Sequence, residues 1–463
     1  MTRREDRARA FYAARDRRTL EYGATEAALN RPLSLSIEAE LAGTPSGQVA
    51  LLALVDMLFR VHRNIRLDLP PTDTTASDRL EKLAFAAAVA IDPFQDPRRE
   101  PIDGELRLHL TTTPETTDAD VVGTWSGGRG EVHVHGARPG GPASPPHGDD
   151  GDLLGAATAA CLVAAATFAL VHEGDPSPTA INLLIRTSGS DATEATTVGP
   201  VDVGSVDVIG GGAVGHALTY WANVFGVAGR WEVIDGDDAE IHNTNRCMGM
   251  TVADAGWPDG VPTGQPLKKA VTAARNGGAV ARPFWYDELP VDRPRPDLVL
   301  VLANERGIRE TVAQSGEPLL LHATTSPNWT AELHRHVPGR DDCPACRIPS
   351  KTQATFLCSE GPTNPNDQDS RDAALPFLSA TSGLILCAAL LDLTSGRRVL
   401  EGRTNHWLIH LELPAGPPVQ TAIHRGSQCR HHLASGVRRA IQAEDPRRWD
   451  SVDDCEDPRS VTS

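Results

Sequence analysis

Residues 206–247 read VDVIGGGAVGHALTYWANVFGVAGRWEVIDGDDAEIHNTNRC. The apolar run Val206 to Ile209 feeds into Gly210, Gly212 and Gly215 at G-x-G-x-x-G spacing, and Ala213 to Val224 then carries an apolar pattern of helical period. This spacing predicts a strand, a tight turn and a helix. Glycine suits the turn because a Cβ would block the backbone conformations it needs. It also lets a phosphate approach the helix N-terminus, where unpaired N–H groups point outward. A second apolar run, Trp231 to Ile234, ends at Asp235, whose carboxylate can accept hydrogen bonds from a ribose.

Glycine turns of this kind serve NAD and FAD as well as other nucleotides, so an NAD-dependent oxidoreductase is one reading of the motif. The polar run that follows points elsewhere. Asp235-Gly-Asp237-Asp-Ala-Glu240-Ile-His-Asn243-Thr-Asn245-Arg246 resembles the D-x-D-x-x-x-x-x-N-x-x-R signature of the ThiF/MoeB and ubiquitin-activating enzyme family. The resemblance implies a Rossmann-like adenylation domain that binds ATP rather than a dinucleotide. Asp235 then holds the ribose, while Asn243 and Arg246 lie near the phosphates together with a lysine further along. Lys269, or its neighbour Lys268, fits that last role. The choice stays open because Trp257 to Pro266, rich in Gly and Pro, looks like an insertion before it. An arginine and a lysine over a triphosphate would neutralise charge at the α-phosphate as a carboxylate attacks it.

The family follows its next strand with D-N-x-x-x-R, the aspartate binding Mg2+ beside the phosphates. Here the apolar run Leu298 to Leu302 precedes Asn304-Glu305-Arg306-Gly307-Ile308-Arg309, which places Arg309 on the family arginine and Asn304 on the aspartate. A neutral amide offers Mg2+ one carbonyl oxygen and no charge. Either Glu305 supplies the charge, or the site binds nucleotide and adenylates poorly. The second possibility makes the chain a pseudoenzyme scaffold for a ubiquitin-like partner.

The cysteines form a separate pattern. Cys343-Pro-Ala-Cys346 is a C-x-x-C pair and Cys429-Arg-His431-His432 a C-x-x-H pair. Two close-spaced pairs of such ligands suit tetrahedral Zn2+, and a closed set of four makes the site structural. His431 can replace His432 as the fourth ligand. Many members of the resembled family carry a C-x-x-C here and a second near the domain's end. The family also often has a cysteine in the following crossover loop that accepts the activated carboxyl. Cys358 stands there, before the Gly-, Pro-, Asn- and Asp-rich stretch Ser359 to Asp372. A thiolate on such a loop could displace AMP from an acyl adenylate. Cys247 reads as a packing residue.

The formal net charge of −17 disfavours direct nucleic-acid binding. The N-terminus MTRREDRARAFYAARDRR is basic but lacks the apolar core of a signal peptide, and the eight cysteines include two pairs at zinc spacing, so a reduced cytoplasmic protein is expected. Leu153 to Val171 and Phe377 to Leu393 are nearly all apolar. Their Ala, Thr and Ser content favours buried helices over membrane spans.

Upstream, Gly47 to Leu58 reads as a helix and Asn64 to Pro70 as a strand. Strand-like runs follow at Glu105 to Leu110, Val121 to Trp125, Glu131 to Val134 and Ala180 to Ile185. This repeats the order of the second half without its full glycine motif. The fold class is therefore α/β: a mainly parallel, Rossmann-like adenylation domain over 196–440, preceded by a degenerate Rossmann-like domain over 1–195. Arg138 to Gly151 and Ser188 to Gly204 read as loops, and 441–463 as a disordered tail. The resemblance implies ATP-dependent activation of the C-terminal glycine of a ubiquitin-like or sulfur-carrier protein, or of a precursor peptide. It also implies either a homodimer or an intramolecular pseudo-dimer.

Overall fold

Short runs of Val, Ile and Leu alternate with helices along the chain, the sequence pattern of strands that must be covered on both faces. The computed structural model describes residues 3–21, 24–70, 75–114, 117–135, 152–172, 179–183, 186–188, 201–290, 292–303, 306–326, 328–347, 375–395, 398–411, 419–424, 429 and 435–449.

The first sheet contains β1 (Leu33–Ile37), β2 (Ile65–Asp68), β3 (Leu106–Leu110), β4 (Val121–Ser126), β5 (Arg129–Val134), β6 (Thr179–Asn182) and β7 (Thr187–Ser188), in the order β2-β1-β3-β4-β5-β6-β7. The second contains β8 (Val201–Ile209), β9 (Val227–Ile234), β10 (Val280–Arg282), β11 (Leu298–Val301), β12 (Leu320–Ser326), β13 (Thr330–His336), β14 (His406–His410) and β15 (Val419–Ala422), in the order β10-β9-β8-β11-β12-β13-β14-β15. With β10 set aside, the two orders match strand for strand. Each sheet is parallel through its first four matched strands and antiparallel through its last three.

The helices match as well. Pro45–Val61 joins β1 to β2 as Ala213–Val224 joins β8 to β9. Leu153–Val171 lies between β5 and β6 as Pro376–Ser395 lies between β13 and β14. These four helices pack on one another, and their side chains belong to one apolar core that runs through both halves. The indole N–H of Trp221 donates to the carbonyl of Ala380 at 2.9 Å, fixing the helix after the glycine turn against Pro376–Ser395. The mixed α/β fold with two Rossmann-like halves is as the strand and helix pattern predicts. Among the described residues, the two helices long and apolar enough to cross a membrane, Leu153–Val171 and Pro376–Leu393, are both mostly buried within it.

Two boundaries differ from the sequence reading. Residues 201–204 belong to β8 rather than to a loop, because the strand continues through a bulge where Gly204, at φ +83°, lets the backbone pass Asp297. The tail expected from 441 is ordered as far as 449. Helix Ser435–Glu444 runs through its start, Arg447 pairs with the buried carboxylate of Glu317, and Trp449 is buried. Charge and proline content suggested disorder there, but one ion pair and one indole give the segment a docking site. The division placed at 195 lies outside the described residues.

Candidate nucleotide site

The glycine turn sits where β8 ends and helix Ala213–Val224 begins, beside the point where strand order reverses between β8 and β11. Open parallel sheets bind ligands at such points. Gly210 has φ +107°, and a Cβ there would lie 2.6 Å from the amide nitrogen of Ala303, so the backbone at the end of β11 closes directly on the turn. At Gly212, the residue before the helix, a Cβ would meet nothing within 4 Å. Gly215, by contrast, packs beneath Gly210.

Asp235 organises this turn. Its Oδ2 accepts the amide of Gly211 at 2.7 Å and its Oδ1 the amide of Asp237 at 2.8 Å. Burial raises its carboxyl pKa, and the charge of Lys269 opposes the rise. Both oxygens keep a second lone pair, so the carboxylate can hold the loop and still receive a ribose hydroxyl.

The structure separates the two lysines. Lys269 begins helix Lys269–Gly277, is 8 % exposed, packs its backbone on Gly211 and places Nζ 2.7 Å from Asp237 Oδ2. Lys268 turns away, its Nζ 2.9 Å from the carbonyl of Gly236 and 3.0 Å from Asp238. Arg246 is buried and donates to the carbonyl of His242 at 3.2 Å. Asn243 closes the turn Ile241–Asn243, its Oδ1 accepting the amide of Glu240 at 2.9 Å. Arg309 lies at the same end of the sheet, its Nε donating to the carbonyl of Ala303 at 3.1 Å. Cys247 is a packing residue against Ala239 and Met250.

Sequence reasoning missed a contribution from the first half. Helix Arg3–Arg15 docks on residues 241–257 through Phe11, which packs with Ile241, Val252 and Ala255. Arg15, fully buried, pairs with Asp16 at 2.5 Å and Asp92 at 2.8 Å. Thr19 accepts from Asn245 at 3.1 Å. This brings Arg17 and Arg18 near His242. Burial first, and then the charges of Arg246, Arg18, Arg17 and Lys269, push the imidazole of His242 down to about 3. Arg18 Nε has no hydrogen-bond partner among the described residues. The only sequence signal was the basic run RDRR at 15–18, more than 200 residues before His242.

Arg60 joins the halves from below. It is fully buried, pairs with Asp56 through two bonds of 2.8 and 2.9 Å, and donates to the carbonyls of Thr244 at 2.6 Å and Met250 at 3.0 Å. Arg60→Met would leave the buried Asp56 carboxylate without its countercharge, held among the described residues only by the Gly249 amide at 3.0 Å, and would remove the arginine's bonds to two carbonyls. We expect a loss of about 3–5 kcal/mol in denaturant unfolding; a loss below about 1 kcal/mol would contradict this role.

The cysteine pattern also converges. The sulfurs of Cys343, Cys346 and Cys429 all lie within 4.8 Å of one another. Thiolates on a tetrahedral Zn2+ are about 3.8 Å apart, given a Zn–S distance of about 2.3 Å, so the three fit that ion with modest closure. Burial and the neighbouring sulfurs raise the Cys343 thiol pKa. Burial likewise raises the Cys346 thiol, so these two are poorly placed to ionise without a cation. His431, His432, Cys358, Asn304 and Glu305 lie outside the described residues.

No protein-family model matches this chain, and no curated protein does. Among solved structures, Escherichia coli MccB aligns at 15% identity over 50% of this chain and 66% of its own, with a TM-score of 0.34. The same protein solved with ATP aligns at 17% identity over 50% and 67%, with a TM-score of 0.32. PaaA aligns at 14% identity over 49% and 64%, with a TM-score of 0.33. The chain thus spans just under two thirds of the first of these structures, and at these TM-scores the likeness is remote.

Proposed function

We propose that this protein uses ATP to adenylate the C-terminal carboxylate of a peptide or protein. The observation that carries this reading is the buried Lys269, packed on Gly211 beside a glycine turn whose Gly211 amide is held by Asp235, with buried Arg246 in the segment that follows. A lysine and an arginine near a helix N-terminus suit the phosphates of a nucleotide. Asp235 holds the ribose. Lys269 exchanges its partner Asp237 for a phosphate oxygen, and Arg246 meets the charge that grows on the α-phosphate. A carboxylate oxygen attacks phosphorus, the bond to the bridging oxygen breaks, and pyrophosphate leaves with the electron pair. The product is an acyl adenylate.

The substrate we favour is a ubiquitin-like or sulfur-carrier protein ending in glycine, with a precursor peptide as the alternative. Cys358 is the proposed acyl acceptor after adenylation. Mg2+ would offset charge on the phosphates when bound. Its position depends on Asn304, so no step here is routed through it. In the cysteine cluster Zn2+ would serve as a structural tie between β13, β15 and the segments after them, held by Cys343, Cys346 and Cys429 with His432 as the proposed fourth ligand.

Exchange of labelled pyrophosphate into ATP tests the proposal, using peptides ending in a free Gly-Gly carboxylate and the same peptides amidated. Exchange is expected with the free carboxylates alone and should fall at least about 100-fold in Arg246→Ala. ATP binding without exchange from any carboxylate would favour a nucleotide-binding scaffold, for which Asn304 in place of an acidic residue is the motive. In that case Asn304→Asp should restore exchange.

A further inference from the structure

Trp285 follows β10 at the carboxyl end of that strand, beside the carboxyl end of β9, where Asp235 and Gly236 stand. Its indole lies against Gly236. A Cβ built on that glycine would be 2.7, 2.8 and 3.0 Å from Cε2, Cδ2 and Nε1 of the ring. Three fused-ring atoms at nearly equal distance mean that the glycine faces the plane of the indole rather than its edge. The residue nonetheless remains 43 % exposed, and Phe284 before it is 50 % exposed. Isolated exposed aromatics are common on protein surfaces. This one is held in place: the amide of Trp285 donates to Glu288 Oε2 at 2.8 Å, and Lys268 Nζ donates to the carbonyl of Gly236 at 2.9 Å.

Gly236 is the residue directly after the carboxylate assigned to the ribose. A nucleotide with its phosphates at Gly211 and its sugar at Asp235 must carry its base onward, past the ends of β9 and β10. A flat, rigid, partly exposed aromatic surface lies in that direction, and heterocyclic bases stack on such surfaces.

We propose that Trp285, seated on Gly236, is the platform on which the base of the nucleotide stacks, and that it sets how strongly the site distinguishes a nucleoside triphosphate from a bare polyphosphate. This rests on the proposed ATP site. The role is one of positioning, since the indole touches neither the α-phosphate nor the attacking carboxylate. Stacking is tolerant of base identity, so ATP and GTP are both held by it, and any further choice between them lies with polar contacts at the base edge.

The test is calorimetric titration of the full chain with ATP, GTP and inorganic tripolyphosphate. Trp285→Ala should weaken ATP and GTP roughly tenfold and leave tripolyphosphate unchanged, while Trp285→Phe keeps most of the ATP affinity. Gly236→Ala provides an independent route, because the added methyl forces the indole off its seat while the tryptophan remains; it should reproduce the selective loss. Equal weakening of ATP and tripolyphosphate in either alanine variant would mean a general disturbance of the loop and would overturn the proposal. So would an ATP affinity within twofold of the parent in Trp285→Ala. Tripolyphosphate binding without any gain for ATP in the parent chain would also overturn it while leaving the anion site intact. Binding of neither ligand by the parent would remove the nucleotide site itself, and this inference with it.

Discussion

Lys269→Ala is expected to lower pyrophosphate exchange about 100- to 1,000-fold, the usual effect of removing one fixed cation or donor from a developing oxyanion. The expectation follows from where the lysine is held. Its backbone packs on Gly211, its side chain is almost wholly buried, and its Nζ is already aligned by Asp237, so little ordering is needed when a phosphate arrives. The fold should survive, because the carboxylate left behind on Asp237 retains contact with solvent. Lys268→Ala, in contrast, should reduce exchange less than tenfold, since that side chain is anchored to the Gly236 carbonyl and Asp238. Assay of the two variants side by side checks the assignment. A larger loss in Lys268→Ala would reverse the roles given to the two residues.

The second large effect concerns the cysteine cluster. Cys343→Ser is expected to abolish stoichiometric zinc binding, measured by atomic absorption, and to cost about 3–5 kcal/mol of stability. Cys343 is fully buried at the start of helix Pro344–Arg347, directly after Asp342. Asp342 is bonded in turn to His334 at 3.1 Å and to Arg347 at 2.9 Å. Loss of the ion would loosen the ends of β13 and β15 together, because Cys343 follows one and Cys429 the other. Chelation of the parent protein should produce the same change in unfolding midpoint. A parent protein purified without zinc, and a Cys343→Ser variant as stable as it, would show that the three sulfurs meet without holding a metal.

Much of this was visible in the chain before any coordinates. The turn at Gly210 to Gly215, the strand ending at Asp235 and the helix at 213–224 follow from local period and from positions that only glycine fills, and local rules are what a sequence displays. Several strands of the first half were foreshadowed in the same way, by the runs Glu105 to Leu110 and Val121 to Trp125, while β1 at Leu33–Ile37 was not. The docking of the N-terminal helix was not legible. Arg17 and Arg18 come near His242 because Phe11 and Arg15 fix that helix against another half of the molecule, and pairings of that separation leave no periodic trace. Arg60 lies beyond the helix read over Gly47 to Leu58, yet it spans the two halves with bonds to Thr244 and Met250. The choice between Lys268 and Lys269 also needed coordinates, since neighbouring residues at a helix start differ in direction rather than in chemistry. The ordered segment at 445–449 was hidden for a similar reason: its docking partner, Glu317, is remote in sequence.

Calorimetric titration of the zinc-loaded protein with ATP, in the presence and absence of Mg2+ and with NAD as control, tests the central claim most directly. It requires no knowledge of the carboxylate that is activated. The site described here predicts binding of ATP that strengthens with Mg2+, is lost in Arg246→Ala, and is not matched by NAD. Binding of NAD with no response to ATP would contradict it.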